Sequence, residues 1–329
     1  MSELNCTTPI FIVGAPRSGT SMLRVMLNRH PNIAICDETY FFYYVYLRRR
    51  AFGDLQNINN RKILVDRYLS IRRIRSQQLD LPGLSTALMQ NGNTYPAFFL
   101  SLINYYADCQ GKLRCGEKTP QHALYTDLLC DWYPGCKIIH IIRDPRDVVA
   151  SLMRMPWASK NVTVNALSWL KYIRGAHRAS QRPNYLLVHY ENVVHDPEAA
   201  IDSICTFLGE TYNPDILATT GQSNVQNVSK EWWFQRATKQ VEKDRIGLWQ
   251  QELDADQVSM VEWILGSYMD KFGYVRYSAN SRVRIRLMAV IEVMQEYLVQ
   301  RVGKLGRQWY YWVQPTKLSK EEESIDSQN

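Results

Sequence analysis

Short apolar runs of strand length alternate along this chain with longer stretches whose apolar residues recur at helical spacing. That alternation predicts an α/β fold with a central, mainly parallel sheet flanked by helices. Pro9-Ile10-Phe11-Ile12-Val13, Ile33-Ala34-Ile35, Lys137-Ile138-Ile139-His140-Ile141-Ile142 and the segment from Asn184 to Glu191 read as buried strands. Met22-Leu23-Arg24-Val25-Met26-Leu27 follows the first of these and suits a helix packed on a sheet. After the third, Asp144 is a good N-cap and Pro145 a good first helical residue. Val162 to Arg182 is predicted helical, and Asp196-Pro197 starts a helix that runs to Leu208 and stops at Gly209. Asp254 and Gln257 make a capping pair for a helix ending near Gly273.

Residues 41–110 are aromatic and basic and read as helices inserted between strands of the main sheet. Arg48-Arg49-Arg50 and Arg72-Arg73-Ile74-Arg75 lie in this insert; such runs either face an acidic ligand or are solvated. Gly116-Glu117-Lys118-Thr119-Pro120-Gln121-His122 follows as a loop, then a helical stretch to Trp132. The segment from Glu210 to Asp244 is polar and reads as a loop folding over the site. A main domain over 1–275 is thus followed by an extension over 276–315 and a disordered tail over 316–329. In the extension, Val283, Leu287, Val290, Ile291, Met294 and Leu298 mark one helix face, with basic residues at both ends. Such a helix lies on an acidic membrane surface or packs on its own domain or a second copy, the packed state being favoured.

The chemistry gathers at two strand-to-helix junctions. At the first, Gly14-Ala15-Pro16-Arg17-Ser18-Gly19-Thr20-Ser21 separates strand from helix, where open backbone N–H groups and the helix dipole favour an anion. The loop nearly fits the triphosphate-binding pattern of two glycines followed by Lys and a hydroxyl, but Thr20 stands in the lysine place. Its one cation is Arg17, so the loop suits a phosphate-like anion better than a metal-bound triphosphate. At the second junction, Arg143 ends a strand and Ser151 lies two turns into the helix, so both can reach one anion. Glu38 falls just beyond the second strand, where open α/β sheets collect ligand groups; by position alone it is equally a solvated carboxylate.

Composition narrows the choice. The 329 residues are 46% hydrophobic and 22% charged, as in a globular α/β protein, and the net charge of +7 fits an anionic ligand. Zinc-finger and RNA-binding signatures are absent, so no nucleic-acid partner is expected. The seven cysteines are an odd number with no CxxC pair and read as reduced thiols. With no apolar leader and no run of membrane-spanning length, a cytoplasmic protein is expected.

Two separate anion sites without a metal signature resemble the sulfotransferases that use 3′-phosphoadenosine 5′-phosphosulfate (PAPS). Pro16-Arg17-Ser18-Gly19-Thr20-Ser21 is similar to their 5′-phosphosulfate loop, and Arg143 with Ser151 to their 3′-phosphate pair. Tyr190-Glu191, Asp196-Pro197 and Phe207-Leu208-Gly209 resemble a later segment of the family, and Arg245-Ile246-Gly247-Leu248-Trp249 the part that closes over the nucleotide. Glu38-Thr39 and Lys118 most resemble the protein-tyrosine sulfotransferases and their bacterial relatives. The family's acceptor-binding arginine after Glu-Thr is Tyr40 here, and a position often basic is Leu248. The resemblance implies a P-loop-like fold with PAPS as co-substrate and no metal. It implies in-line transfer to an acceptor hydroxyl on a small molecule, lipid, carbohydrate or peptide tyrosine, with residues 41–110 on the acceptor side. Glu38 would be the base, with His122 its rival, while Arg17 and Lys118 neutralise developing charge; Tyr190, Arg245 and Gly247 would join the cofactor site. A magnesium-dependent nucleotide kinase and a non-catalytic nucleotide-binding or membrane-surface protein are the alternatives.

Overall fold

The computed structural model describes residues 6–77, 79–217, 243–277 and 290–291. Its sheet contains β1 (Ile10–Gly14), β2 (Ile33–Cys36), β3 (Arg114–Lys118), β4 (Lys137–Ile142) and β5 (Tyr185–His189). They pair in the order β2-β3-β1-β4-β5, every pair parallel. Strand order therefore reverses at β1, and the crevice beyond its carboxyl end is where an open α/β sheet binds ligands.

The alternation of side chains along β1 feeds two cores. Ile10 and Ile12 face one side, joined by Ile33, Ile35, Ile139 and Ile141 of the neighbouring strands. Leu23 and Leu27 of α1 (Thr20–Leu27) close that side. Phe11 and Val13 face the other side, covered by the helices inserted between β2 and β3. These are α2 (Phe41–Tyr44), α3 (Arg49–Phe52), α4 (Ile58–Ser70), α5 (Arg72–Arg75), α6 (Leu81–Asn91) and α7 (Tyr95–Cys109). An aromatic seam fastens the insert to the sheet: Phe99 packs on Phe11 at 5.8 Å and stacks on Phe41 at 4.4 Å.

The remaining helices are α8 (Thr126–Trp132), α9 (Pro145–Met153), α10 (Val162–His177), α11 (Tyr190–His195), α12 (Pro197–Leu208), α13 (Trp249–Glu252) and α14 (Ala255–Lys271). Several boundaries follow from caps visible in the sequence. Asp144 accepts from the Arg146 N–H with Pro145 at the first position, and α12 ends at Gly209 in the left-handed conformation. Asp254 and Gln257 form a reciprocal capping box on α14.

Three expectations are corrected. Arg114–Lys118 is a strand beside β1 rather than a loop, and His122 lies in the 3₁₀ turn Pro120–Tyr125 that follows it. The last sheet strand stops at His189, and Tyr190 opens α11. The helix before that strand, expected to run to Arg182, ends at His177 and continues as a 3₁₀ turn to Gln181. Of the polar segment 210–244, residues 218–242 lie outside the described residues, as does the expected C-terminal helix and tail, apart from the exposed Val290 and Ile291.

Candidate active site

The loop after β1 is shaped by close approaches that only glycine allows. A Cβ on Gly14 would stand 2.4 Å from the Ile141 carbonyl oxygen of β4. Gly19 has φ +95, and a Cβ there would meet the Tyr190 ring at 2.6 Å. Between them Arg17 adopts φ 72, uncommon for a side chain of its size. Ser18 is fully buried, yet its hydroxyl has no partner among the described residues. The first turn of α1 carries neither an acidic residue nor a side-chain cap. Buried Thr20 and half-buried Ser21 open that turn, beyond Pro16 and the Ser18 N–H bond to the Ala15 carbonyl at 3.1 Å. The loop thus sets the start of α1, where backbone N–H groups favour an anion, beside a buried hydroxyl without a partner among the described residues.

The second junction joins it. Arg17 Nε donates to the Ser151 hydroxyl at 3.2 Å, and Arg143 donates to the Arg17 carbonyl at 3.4 Å. Arg143 also lies over the Tyr190 ring at 4.5 Å, the ring that excludes a side chain at Gly19. Its other nitrogen donates to the Arg245 carbonyl at 2.5 Å and approaches Asp147 at 3.5 Å. Asp147 in turn accepts from the Gly247 N–H at 2.9 Å and the Trp249 N–H at 3.0 Å. Residues 245–249 are thus tied to α9 from a hundred residues away. A further clamp stands behind them. Arg146 forms ion pairs with Asp144 and, at 2.6 Å, Glu262, and lies over the Trp249 ring at 4.1 Å. Asp147 and Arg146 carry no signal in the sequence beyond their place beside Arg143. Arg245 meets Arg143 through its backbone carbonyl.

On the other side of β1, the register Cys36↔Glu117 brings the end of β2 beside that of β3. Lys118 is fully buried, and its Nζ pairs with Glu38 Oε1 at 2.6 Å and Asp37 at 3.1 Å. Glu38 Oε2 receives Arg73 at 2.8 Å and the Tyr40 hydroxyl at 2.5 Å. Burial works to raise the Glu38 carboxyl pKa, but Lys118 and Arg73 outweigh it and hold the group below the ordinary carboxylate range. Glu38 is therefore a buried, paired carboxylate and not a solvated loop group.

Glu117, fully buried, holds the peptide next to Glu38. It accepts from the Thr39 N–H at 3.1 Å, the Thr39 hydroxyl at 3.0 Å and the Thr119 hydroxyl, and pairs with His122 Nδ1 at 2.9 Å. His122 is 1% exposed, edge-on to Phe42 and Phe99, and its contact is with Glu117, not Glu38. Glu117, Asp37 and Arg73 are the members of this group that residue type and spacing had not singled out.

A parallel sheet reversing at a glycine loop, with the Arg143 junction beside it, defines an α/β protein. The chain belongs to the sulfotransferase family, a family of enzymes, whose profile matches residues 9–214. It is 27% identical over 247 residues to protein-tyrosine sulfotransferase 2 of Gallus gallus, covering 71% of this chain and 60% of that protein. It is 22% identical over 299 residues to nodulation protein NoeE of Sinorhizobium fredii, covering 83% and 67%. The chain spans 57% of mouse sulfotransferase 2A6, so it matches little more than half the length of some curated relatives. Among solved structures, the sulfotransferase domain of the Synechococcus olefin synthase has the same fold, with a TM-score of 0.58 and 21% identity over 84% of this chain and 98% of that domain.

Proposed function

We propose that the protein moves a sulfuryl group from PAPS to an acceptor hydroxyl by in-line transfer, with Glu38 as the base. PAPS supplies an already activated sulfuryl group whose leaving group is a stable anion, and the reading needs no metal. The N–H groups from Gly19 to Ser21 and the Ser18 hydroxyl, unpartnered among the described residues, hold the 5′-phosphate side. Arg143, with Ser151 and the Gly247 segment, takes the 3′-phosphate, and Tyr190 keeps the Arg143 guanidinium in place. Lys118 and Arg17 offset negative charge as it develops on the transferred group and bridging oxygen. Glu38 takes the acceptor proton, a contribution commonly of about 10²–10⁴-fold. The observation that carries the reading is the Lys118–Glu38 pair at 2.6 Å, a base and a cation joined at the sheet end beside the cradle. His122 is less suited to be the base, being engaged with Glu117.

The acceptor is a hydroxyl-bearing small molecule, lipid, carbohydrate or peptide tyrosine. The unpaired cysteines support a reducing, cytoplasmic setting, and the basic C-terminal segment supports contact with a membrane surface or a second copy. The test is calorimetry with adenosine 3′,5′-bisphosphate and with magnesium-ATP, followed by radiolabelled PAPS with phenols, sterols, sugars, lipids and tyrosine peptides. Tight binding of the bisphosphate and label transfer are expected. Binding of magnesium-ATP with no uptake of the bisphosphate would instead establish the kinase alternative, and bisphosphate binding without label transfer the non-catalytic one.

A further inference from the structure

On Glu38, the base of the proposed transfer, Oε2 is already filled by donors. Oε1 is taken by Lys118 at 2.6 Å, and Oε2 by both Arg73 at 2.8 Å and the Tyr40 hydroxyl at 2.5 Å. Two donors match the two lone pairs of Oε2. Of the three donors, Lys118 and Arg73 are cations, while the Tyr40 O–H is the group an acceptor itself offers to a base. The phenol is held in place from several directions. Tyr40 has φ 48 and ψ 31, a left-handed backbone that is rare for an aromatic residue. That conformation follows Thr39, whose N–H and hydroxyl are fixed on Glu117, and it turns the ring back toward the residue two positions earlier. The Arg73 guanidinium lies over the ring at 4.6 Å, and the Tyr44 ring meets it edge-on at 6.0 Å.

We propose that the Tyr40 hydroxyl stands in the place of the acceptor oxygen on Glu38, so that the acceptor enters by displacing it while Arg73 keeps the carboxylate aimed. The proposal rests on Glu38 being the base. It gives Tyr40 a protective role before an acceptor binds. A water at that place would pass its proton to Glu38 as its oxygen bonds to sulfur and the bond from sulfur to the bisphosphate oxygen breaks, wasting PAPS as sulfate. Tyr40 denies water that place, and an acceptor able to compete for Glu38 opens it.

The test needs no knowledge of the acceptor. Sulfate release from radiolabelled PAPS is measured without acceptor in the full chain and in Tyr40→Ala, Tyr40→Phe and Tyr40→Ala combined with Glu38→Gln. Affinity for adenosine 3′,5′-bisphosphate is measured in each by calorimetry. Tyr40→Ala should release sulfate about tenfold faster, and the added Glu38→Gln should abolish the gain. Tyr40→Phe keeps the ring under Arg73 and loses only the O–H, so it should show a smaller gain in a folded protein. Bisphosphate affinity should be unchanged in both single variants. Wild-type sulfate release in both single variants, with bisphosphate affinity intact, would overturn the proposal and leave the transfer reading standing. Failure of the unaltered protein to bind the bisphosphate would overturn the transfer reading, and this proposal with it.

Discussion

Replacing Glu117 by Gln changes one oxygen to an amide nitrogen and keeps the volume, so its effects come from hydrogen bonding alone. The amide oxygen can keep the three donors now on Oε1, the Thr39 N–H, the Thr39 hydroxyl and the Thr119 hydroxyl, but without charge assistance. Bonds to a charged partner contribute about 1.5–3 kcal/mol and neutral ones about 0.5–1.5, so roughly 1 kcal/mol is lost at each. The new NH₂ then faces His122 Nδ1, which must become the acceptor and leave its proton on Nε2. That nitrogen is buried and has no partner among the described residues, so it adds about 1–3 kcal/mol. Turning the amide over instead sets its NH₂ against three donors, which costs more. The expected loss is about 4–6 kcal/mol, a large share of a typical domain's stability. Urea unfolding monitored by tryptophan fluorescence reads it. Glu117 makes no contact with the glycine loop, so bisphosphate affinity should be unchanged. Turnover should fall by up to about 10²-fold, because Thr39 no longer fixes Glu38 to within an ångström. A variant that unfolds within about 0.5 kcal/mol of the parent and turns over at its rate would refute the claim that this network aims the base.

Arg143→Ala removes the charge over Tyr190 and should weaken binding of adenosine 3′,5′-bisphosphate by roughly 10–100-fold, with a smaller effect on turnover at saturating PAPS; unchanged affinity by calorimetry refutes its phosphate role. Gly19→Ala forces a Cβ to φ +95 and to within 2.6 Å of the Tyr190 ring. It should lower the melting temperature and bisphosphate affinity together, and a variant normal in both would show that the loop can move aside. His140, in β4, is fully buried against the Tyr185 hydroxyl, and burial, with His177 and His189 nearby, lowers its pKa from 6.5 to about 3. The unfolded chain binds that proton first, so the stability held by neutral His140 is complete above pH 6.5 and is lost as pH falls toward 3. Urea unfolding between pH 6 and 4 should show a slope near 1.4 kcal/mol per unit from this group, and His140→Asn should flatten it by about that amount; an equal slope in the variant refutes the assignment.

Features set by neighbours in sequence were legible in the chain. The glycine loop, the Asp144-Pro145 cap, the Asp196 to Gly209 helix and the Asp254–Gln257 box each need only a few consecutive residues, and each is found where the residues put it. β3 was not legible. Arg-Cys-Gly-Glu-Lys contains no β-branched residue and ends in two charges, a composition that favours a loop. It is a buried strand because tertiary pairing with β1 and β2 overrides that preference, and because its two charges have buried partners. Arg73 was hidden for another reason. Arg72-Arg73-Ile74-Arg75 looks like Arg48-Arg49-Arg50, and nothing in the spacing of a four-residue helix tells which arginine turns inward.

Register decides whether these pieces meet. Phe11 pairs with Glu117 and Ile12 with Lys118, so Glu117 shares the face of Phe11 and the aromatic insert, while Lys118 alternates away from it at the strand end. From those places Glu117 reaches Thr39 and His122, and Lys118 reaches Asp37 and Glu38. A slip of one residue would exchange the faces of the two. An ammonium would then lie among Phe42, Phe99 and His122, with no carboxylate to receive it. Glu38 would keep Arg73 and lose the buried lysine that links it to the cradle side of β1. The ion pair at the carboxyl end of the sheet thus penalises the wrong register. The same two charges that make β3 unreadable as a strand fix how it must pair once it is one.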